Sequence, residues 1–244
     1  MHQVYLTRLA DGSCLVLKCA PSHRVRLLRH EQQLLETESK ALKTLHEFTS
    51  VPVPQLLKHD STGGVLGIPF LMMSHVPGRR LSELSPRLTA REKQTIERTL
   101  GSHVRTLTSL SATQFGLTHR VFASKGSRSW REAFLTLLEA GLRDAEDMLV
   151  TVPYDSIRHC VGQQAHFLDE VTEPRLVALT VADPTNVLVD EETKQITGLV
   201  GFSHVLWGDP LMTGGIAEAS HAFLQGLGDA CPAKTPGTRA RLLM

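Results

Sequence analysis

The groups in this 244-residue chain that could do chemistry are an ammonium, a few carboxylates and a carboxamide, each beside an apolar run. Lys18 closes the string Leu15-Val16-Leu17-Lys18. Glu36 and Glu38 sit two apart in Leu35-Glu36-Thr37-Glu38-Ser39-Lys40. Asp183 and Asn186 precede Val187-Leu188-Val189, and Asp209 lies in Trp207-Gly208-Asp209-Pro210. An ammonium can neutralise an anionic ligand, and a carboxylate can accept a proton or hold a hard cation. Each position also has a purely structural reading: a lysine snorkelling from a strand edge, glutamates on an exposed helix face, a turn opened by Asp183-Pro184 and closed by Asn186. Other chemistries lack their patterns. Serine, cysteine and histidine occur without a nucleophile elbow or triad-like context, the twelve histidines show no HExxH spacing, and there is no P-loop string.

The chain is 41% hydrophobic and 21% charged, as expected of a globular protein with one domain or two small lobes. A formal charge of +1 gives no reason to expect nucleic acid or an anionic membrane as a partner. The densest basic stretch, His23 to His30, reads as the solvated face of a helix-like segment. Cys14, Cys19, Cys160 and Cys231 have no metal-ligand spacing, and Cys14 and Cys19 would face opposite sides of a strand. With no secretory leader, reduced thiols and a cytoplasmic location are expected. No apolar run approaches the ~20 residues of a membrane span.

Several elements must position those groups. Val4 to Leu9 and Cys14 to Cys19 flank Asp11-Gly12, a hairpin signal. Apolar residues from Leu27 to Phe48 recur at helical spacing, and Val51-Pro52-Val53-Pro54 stops that helix. Gln55 to His59 and Ile68 to His75 read as further strands. Pro77-Gly78 then breaks the chain, and the remainder is mainly helical. Thr89 with Glu92 and Ser129 with Glu132 have capping-box form, and Pro153 could start another helix. The stretch from Asn186 to Met212 is two apolar strands around Glu191-Glu192-Thr193-Lys194-Gln195, then the Trp-Gly-Asp-Pro corner. A short helix follows from Ile216 to Leu227, and Asp229 to Arg241 reads as a loose tail. This is an α+β chain, with a strand-rich lobe at 1–76 and a helical lobe at 77–244 that carries a hairpin at 175–202.

Two strings, Pro69 to Leu81 (PFLMMSHVPGRRL) and Ile196 to Met212 (ITGLVGFSHVLWGDPLM), resemble the aminoglycoside phosphotransferase and choline kinase-like group, especially its fungal members. The resemblance spans nearly the whole chain and implies a two-lobe protein kinase-like fold that binds ATP and magnesium. It assigns Lys18 to the nucleotide phosphates and Glu38 to holding that lysine, with Glu36 as the competing glutamate. It places Ser74 and Val76 in the adenine hinge, where backbone groups make the contacts and His75 is a spacer. Asn186 falls on the catalytic-loop asparagine, which takes a metal or orients the loop. Asp209 falls on a residue that supports the lobe.

Two departures set this chain apart. The family's metal-binding aspartate is replaced by Gly201, and its catalytic aspartate by Val181, or by Thr180 with one insertion. Asp183 is the nearest carboxylate to that place, so Asp183 and Asn186 are the candidate catalytic residues. Compared with the family, the chain begins near the second strand and ends soon after the Trp-Gly-Asp-Pro corner. The resemblance therefore implies a degenerate, truncated member: a pseudokinase or accessory protein, with a small metabolite or a protein as partner and a possible place in a natural-product pathway. The alternatives are a working phosphotransferase acting on a hydroxyl or amino group, and a non-functional gene fragment.

Overall fold

The computed structural model describes residues 2–22, 25, 27–230 and 235–244. The basic residues at 23, 24 and 26 and Cys231 lie outside them.

Gln3–Arg8 (β1) and Cys14–Cys19 (β2) pair antiparallel across the expected turn, with Gln3 opposite Cys19 and Arg8 opposite Cys14. Leu56–Asp60 (β3) and Phe70–Ser74 (β4) complete a four-stranded sheet in the order β1-β2-β4-β3. β2 is thus an interior strand, and Lys18 sits opposite Leu71 in its ladder. Helix α1, Leu34–Phe48, packs on this sheet through Leu35, Ala41, Leu42 and Leu45. The helix begins later than the Leu27 expected from apolar spacing. Gln33 takes a left-handed backbone (φ 63, ψ 17) just before it, and only a 3-10 turn at Arg29–Glu31 precedes that kink.

After Pro77 the chain makes a two-residue strand, Arg79–Arg80 (β5), and the short helix Leu81–Leu84 (α2). Gly78 has φ 129, and a Cβ there would collide with the Thr197 hydroxyl, which donates to the Pro77 carbonyl at 2.6 Å. The crossing between sheet and helices therefore requires glycine at this point.

Helix α3, Ala90–Ser109, starts at a complete capping box in which Thr89 and Glu92 satisfy one another's backbone N–H groups. Its apolar stripe of Ile96, Leu100, Val104 and Leu107 is buried in the main core. A small strand at Gly116–Leu117 (β6) and the helix Thr118–Phe122 (α4) follow. Helices α5, Trp130–Asp147, and α6, Tyr154–Gln164, follow, the first capped by the Ser129 hydroxyl. Trp130 and Phe134 anchor a second, smaller core with Phe115, Leu168 and Val177.

Arg175–Ala178 (β7), Val187–Val189 (β8), Ile196–Leu199 (β9) and Val205–Gly208 (β10) supply the strands of two three-stranded sheets, β6-β10-β7 and β5-β8-β9. The short helix His221–Leu227 (α7) starts five residues later than the expected Ile216 and is capped by Ser220, whose hydroxyl accepts from Phe223 N–H.

The stretch expected to be a loose tail carries a helix instead. Pro236–Leu243 (α8) is capped by Thr235 with Pro236 in its first turn, and Arg241 anchors it to buried Asp209 at 2.8 Å. A long-range ion pair of this kind leaves no periodic trace in the sequence. Among the described residues, no helix is long and apolar enough to cross a membrane.

Candidate nucleotide cleft

A cleft of about 680 Å³ lies between the four-stranded sheet and the β5-β8-β9 sheet. Lys18, Ser74 and Val76 line it from one side and Asn186, Val200 and Gly201 from the other. Of the residues singled out in the sequence, Lys18, Ser74, Val76 and Asn186 come together here, and Glu38 stands directly behind.

The Lys18 ammonium contacts Glu38 Oε1 at 2.6 Å. Glu38 is on the buried face of α1, with its side chain 2% exposed, and its Oε2 has no hydrogen-bond partner among the described residues. Glu36, one face round the helix, pairs instead with Lys40 at 2.6 Å. The two glutamates are thus separated by helix geometry: only Glu38 reaches the sheet.

Along the hinge, the N–H of Ser74 donates to Gln55 O at 2.9 Å and that of His75 to Cys14 O at 3.2 Å. Among the described residues the N–H of Val76 has no backbone acceptor, so it is available to a ligand in the cleft. His75 is exposed and also lines the cleft.

The opposite wall is a closed hydrogen-bonded knot. Asn186 Nδ2 donates to Thr180 O at 2.9 Å, Thr180 Oγ1 donates to Gly201 O at 3.2 Å, and Val200 N–H donates to Asn186 O at 2.9 Å. Gly201 adopts φ 83, and a Cβ built on it would stand 2.8 Å from the Asn186 amide atoms. Val181 is 1% exposed and belongs to the main core, so its position is occupied by packing rather than by a group able to take a proton.

Asp183 is exposed, and it is not among the described residues that line the cleft. Its Oδ1 accepts from Thr185 N–H at 2.8 Å and from Thr185 Oγ1 at 2.6 Å, closing a turn. The Thr185 hydroxyl and N–H hold its carboxyl below the usual aspartate value.

Sequence reasoning missed Arg79, Arg80 and Glu83, which line the cleft at its mouth. Arg79 bonds Glu191 at 2.7 Å and lies 3.6 Å from Glu83, while Arg80 has no acidic partner among the described residues. The signal was present in the Arg79-Arg80 pair that follows Pro77-Gly78.

These groups fit a nucleotide. The cleft has the size of a small-molecule site, one cation at its depth, a second at its mouth and a free hinge donor. They do not fit magnesium, which requires hard oxygen ligands in near-octahedral array. The deep wall offers only the Asn186 carboxamide oxygen and the Thr185 hydroxyl, and Glu83 faces Arg79 at the rim. Among the described residues, no three histidine, cysteine or acidic side chains are grouped as a metal would need.

Asp209 lies away from the cleft. It is buried, accepting from Leu211 N–H at 3.0 Å and Arg241 Nε at 2.8 Å, and so ties α8 to the end of β10.

Residues 2–217 match the model of a family described as the phosphotransferase enzyme family. No curated protein matches the chain by sequence. Among solved structures it superposes on a putative fructosamine-3-kinase from Thermobifida fusca YX-ER1 with a TM-score of 0.65 at 18% identity, covering 99% of this chain and 79% of that one. The aminoglycoside phosphotransferase APH(4)-Ia gives 0.64 at 14% identity, covering 100% and 82%. A thermostable mutant of that enzyme in ternary complex with AMP-PNP and hygromycin B gives 0.62 at 15%, covering 98% and 82%. The fold is the two-lobe protein kinase-like fold expected from the two matching strings.

Proposed function

The chain belongs to the phosphotransferase enzyme family, and from that premise we propose that it is a nucleotide-binding member in which phosphoryl transfer has been lost. The observation that carries this reading is the contrast between the cleft's two walls. On one wall the Lys18–Glu38 pair is formed at 2.6 Å, and the Val76 N–H of the same wall has no backbone acceptor among the described residues. On the other stands Gly201, and Val181 is buried in the core, at the two positions where the family resemblance puts acids.

Phosphoryl transfer depends on positioning and on charge neutralisation around the moving phosphoryl group. Lys18 would neutralise phosphate oxygens in the cleft, with Glu38 fixing the direction of its ammonium. Arg80 would supply further positive charge at the mouth, and the Val76 N–H would fix the base. Among the described residues that line the cleft, the one carboxylate is Glu83, which faces Arg79 at the rim, and the one imidazole is His75 on the hinge, across from Asn186. Loss of a general base lowers rates by about 10²–10⁴, and loss of preorganised charge stabilisation by about 10²–10³ more. The role that remains is binding: an accessory, pseudokinase-like protein of the cytoplasm, with strand-rich lobe 1–76 and helical lobe 77–244 closing on a nucleotide and a metabolite or protein as its further partner.

Calorimetric titration of the purified chain with ADP in the presence of EDTA tests the reading. Saturable binding that weakens at least tenfold in Lys18→Ala is the expected result. Absence of binding, or equal binding by Lys18→Ala, would remove the nucleotide from the account.

A further inference from the structure

A second cavity, of about 330 Å³, opens on a different part of the molecule, between the residues just before α1, β6 with α4 and the turn after it, and one face of α5. None of its described lining residues lines the nucleotide cleft. Its floor is apolar, made by Phe115, Leu117, Ala133 and Leu137, and Phe115 and Ala133 are buried in the smaller core.

The unmatched charge at its lining is cationic, and burial holds the His119 imidazole below the usual histidine value. Arg29, His119, Arg120 and Lys125 line the cavity, and no aspartate or glutamate is among the described lining residues. Arg29 is already matched by Asp144 at 2.7 Å and Asp147 at 2.9 Å. Lys125 and Arg120 are exposed and have no acidic partner among the described residues; Arg120 Nε donates to the Lys125 carbonyl at 3.2 Å.

The walls are held in place before any ligand arrives. Phe115 and Ser127 exchange backbone hydrogen bonds at 2.9 and 2.8 Å, Gly126 N–H donates to Gln114 Oε1 at 3.0 Å, and Thr118 Oγ1 donates to Val205 O at 2.6 Å. Gln33, the left-handed residue before α1, lines the rim, and such non-glycine backbone concentrates at ligand sites.

A preformed apolar pocket with a few convergent polar groups is the usual form of a small-molecule site. A purely apolar ligand would leave the unmatched Arg120 and Lys125 unused, and a cation would be repelled by them. We infer that this cavity binds a small organic acid, with its apolar body on the Phe115–Leu137 floor and its carboxylate towards Arg120 and Lys125.

The test is calorimetric titration of the full chain with 2-naphthoate, an apolar acid of suitable shape, and with the neutral 2-naphthamide. The cavity-filling variant is Gly141→Phe. A Cβ at Gly141 meets nothing within 4 Å, and glycine inside a helix is the weaker helix former, so α5 tolerates the change. The expected results are saturable naphthoate binding, its loss in Gly141→Phe, and a roughly tenfold weakening in Arg120→Ala/Lys125→Ala, where two exposed ion pairs disappear together. No saturable binding, binding unaffected by Gly141→Phe, or equal binding of naphthamide would each overturn the inference. ADP titration of Gly141→Phe reports separately on the nucleotide cleft, so failure of one site does not imply failure of the other.

Discussion

Lys18 on the interior strand β2 and Glu38 on the buried face of α1 are joined at 2.6 Å, and that pair is the only link in the cleft between a cation and a fully buried carboxylate among the described residues. Twenty residues of chain separate them. The pair couples the position of α1 to whatever lies in front of Lys18.

Removing the carboxylate should therefore be felt twice. Glu38→Ala leaves a lysine that is only 17% exposed without its partner, and breaking a largely buried pair costs about 3–5 kcal/mol. Glu38→Gln, which keeps a hydrogen-bond acceptor, should cost less. Denaturant unfolding measures both, and ADP titration of Glu38→Gln should show weaker binding because Lys18 is no longer held in place. Equal ADP affinity in Glu38→Gln would detach Glu38 from the site.

Gly201→Asp restores a carboxylate to the wall opposite Lys18. The new Cβ would stand 2.8 Å from the Asn186 amide, so Asn186 must rotate and give up its 2.9 Å bond to Thr180 O. A non-glycine residue at φ 83 adds strain, and together these should lower stability by about 1–3 kcal/mol. In exchange, nucleotide binding should become magnesium-dependent. A variant that binds nucleotide equally with magnesium and with EDTA would show that Gly201 is not the missing ligand position.

Asp183→Asn should leave ADP binding unchanged, since its carboxylate faces Thr185 and not the cleft. Its carboxyl is held below 3.8 by the Thr185 donors. Its contribution to the turn is therefore present above that unfolded value and disappears as pH falls through the lower folded one. An NMR titration of the Asp183 carboxyl should find its midpoint below 3.8. A midpoint near neutrality, or phosphotransfer abolished by Asp183→Asn, would instead support a working enzyme using Asp183 as base.

Asp209 titrates in the opposite sense. Burial pushes its carboxyl up, and this outweighs the opposing Leu211 N–H and Arg241. A raised carboxyl favours the folded state most when protonated. That advantage is complete below the unfolded value of 3.8 and is lost as pH rises through the folded one. The stability of the unaltered chain relative to Asp209→Asn should thus fall between acidic and neutral pH in denaturant unfolding. A difference that grows with pH would mean that the Arg241 pair dominates. At neutral pH, Asp209→Ala leaves Arg241 with Glu170 as its acidic partner and leaves Leu211 N–H without its acceptor, and should cost about 1–3 kcal/mol.

Local chemistry made much of the fold legible. Asp11-Gly12 marks the β1–β2 turn, and the Thr89 and Ser129 caps mark the starts of α3 and α5, because those signals act over a few residues. Apolar spacing from Leu27 onward could not reveal that Gln33 would turn left-handed and delay α1 to Leu34. The helix at Pro236–Leu243 was hidden for a related reason: its anchor, Arg241 on Asp209, spans 32 residues.

The cleft was legible only in part. Glu36 and Glu38 were distinguishable once helix phase placed Glu38 inward and Glu36 beside Lys40. The Arg79-Arg80 pair was visible after Pro77-Gly78, but that Arg79 is matched by Glu191 depends on a contact 112 residues away, and the reach of Asp183 depended on a side chain that the turn at Thr185 captures.

The most direct measurement is thermal unfolding of the chain with and without ATP, each in magnesium and in EDTA. A ligand that binds the folded state stabilises it by about 2.7 kcal/mol at a hundred times its dissociation constant. The account predicts an ATP-dependent rise in the midpoint that is the same in EDTA as in magnesium and is lost in Lys18→Ala. A rise that appears only with magnesium, or no rise at all in a cooperatively folding chain, would contradict it.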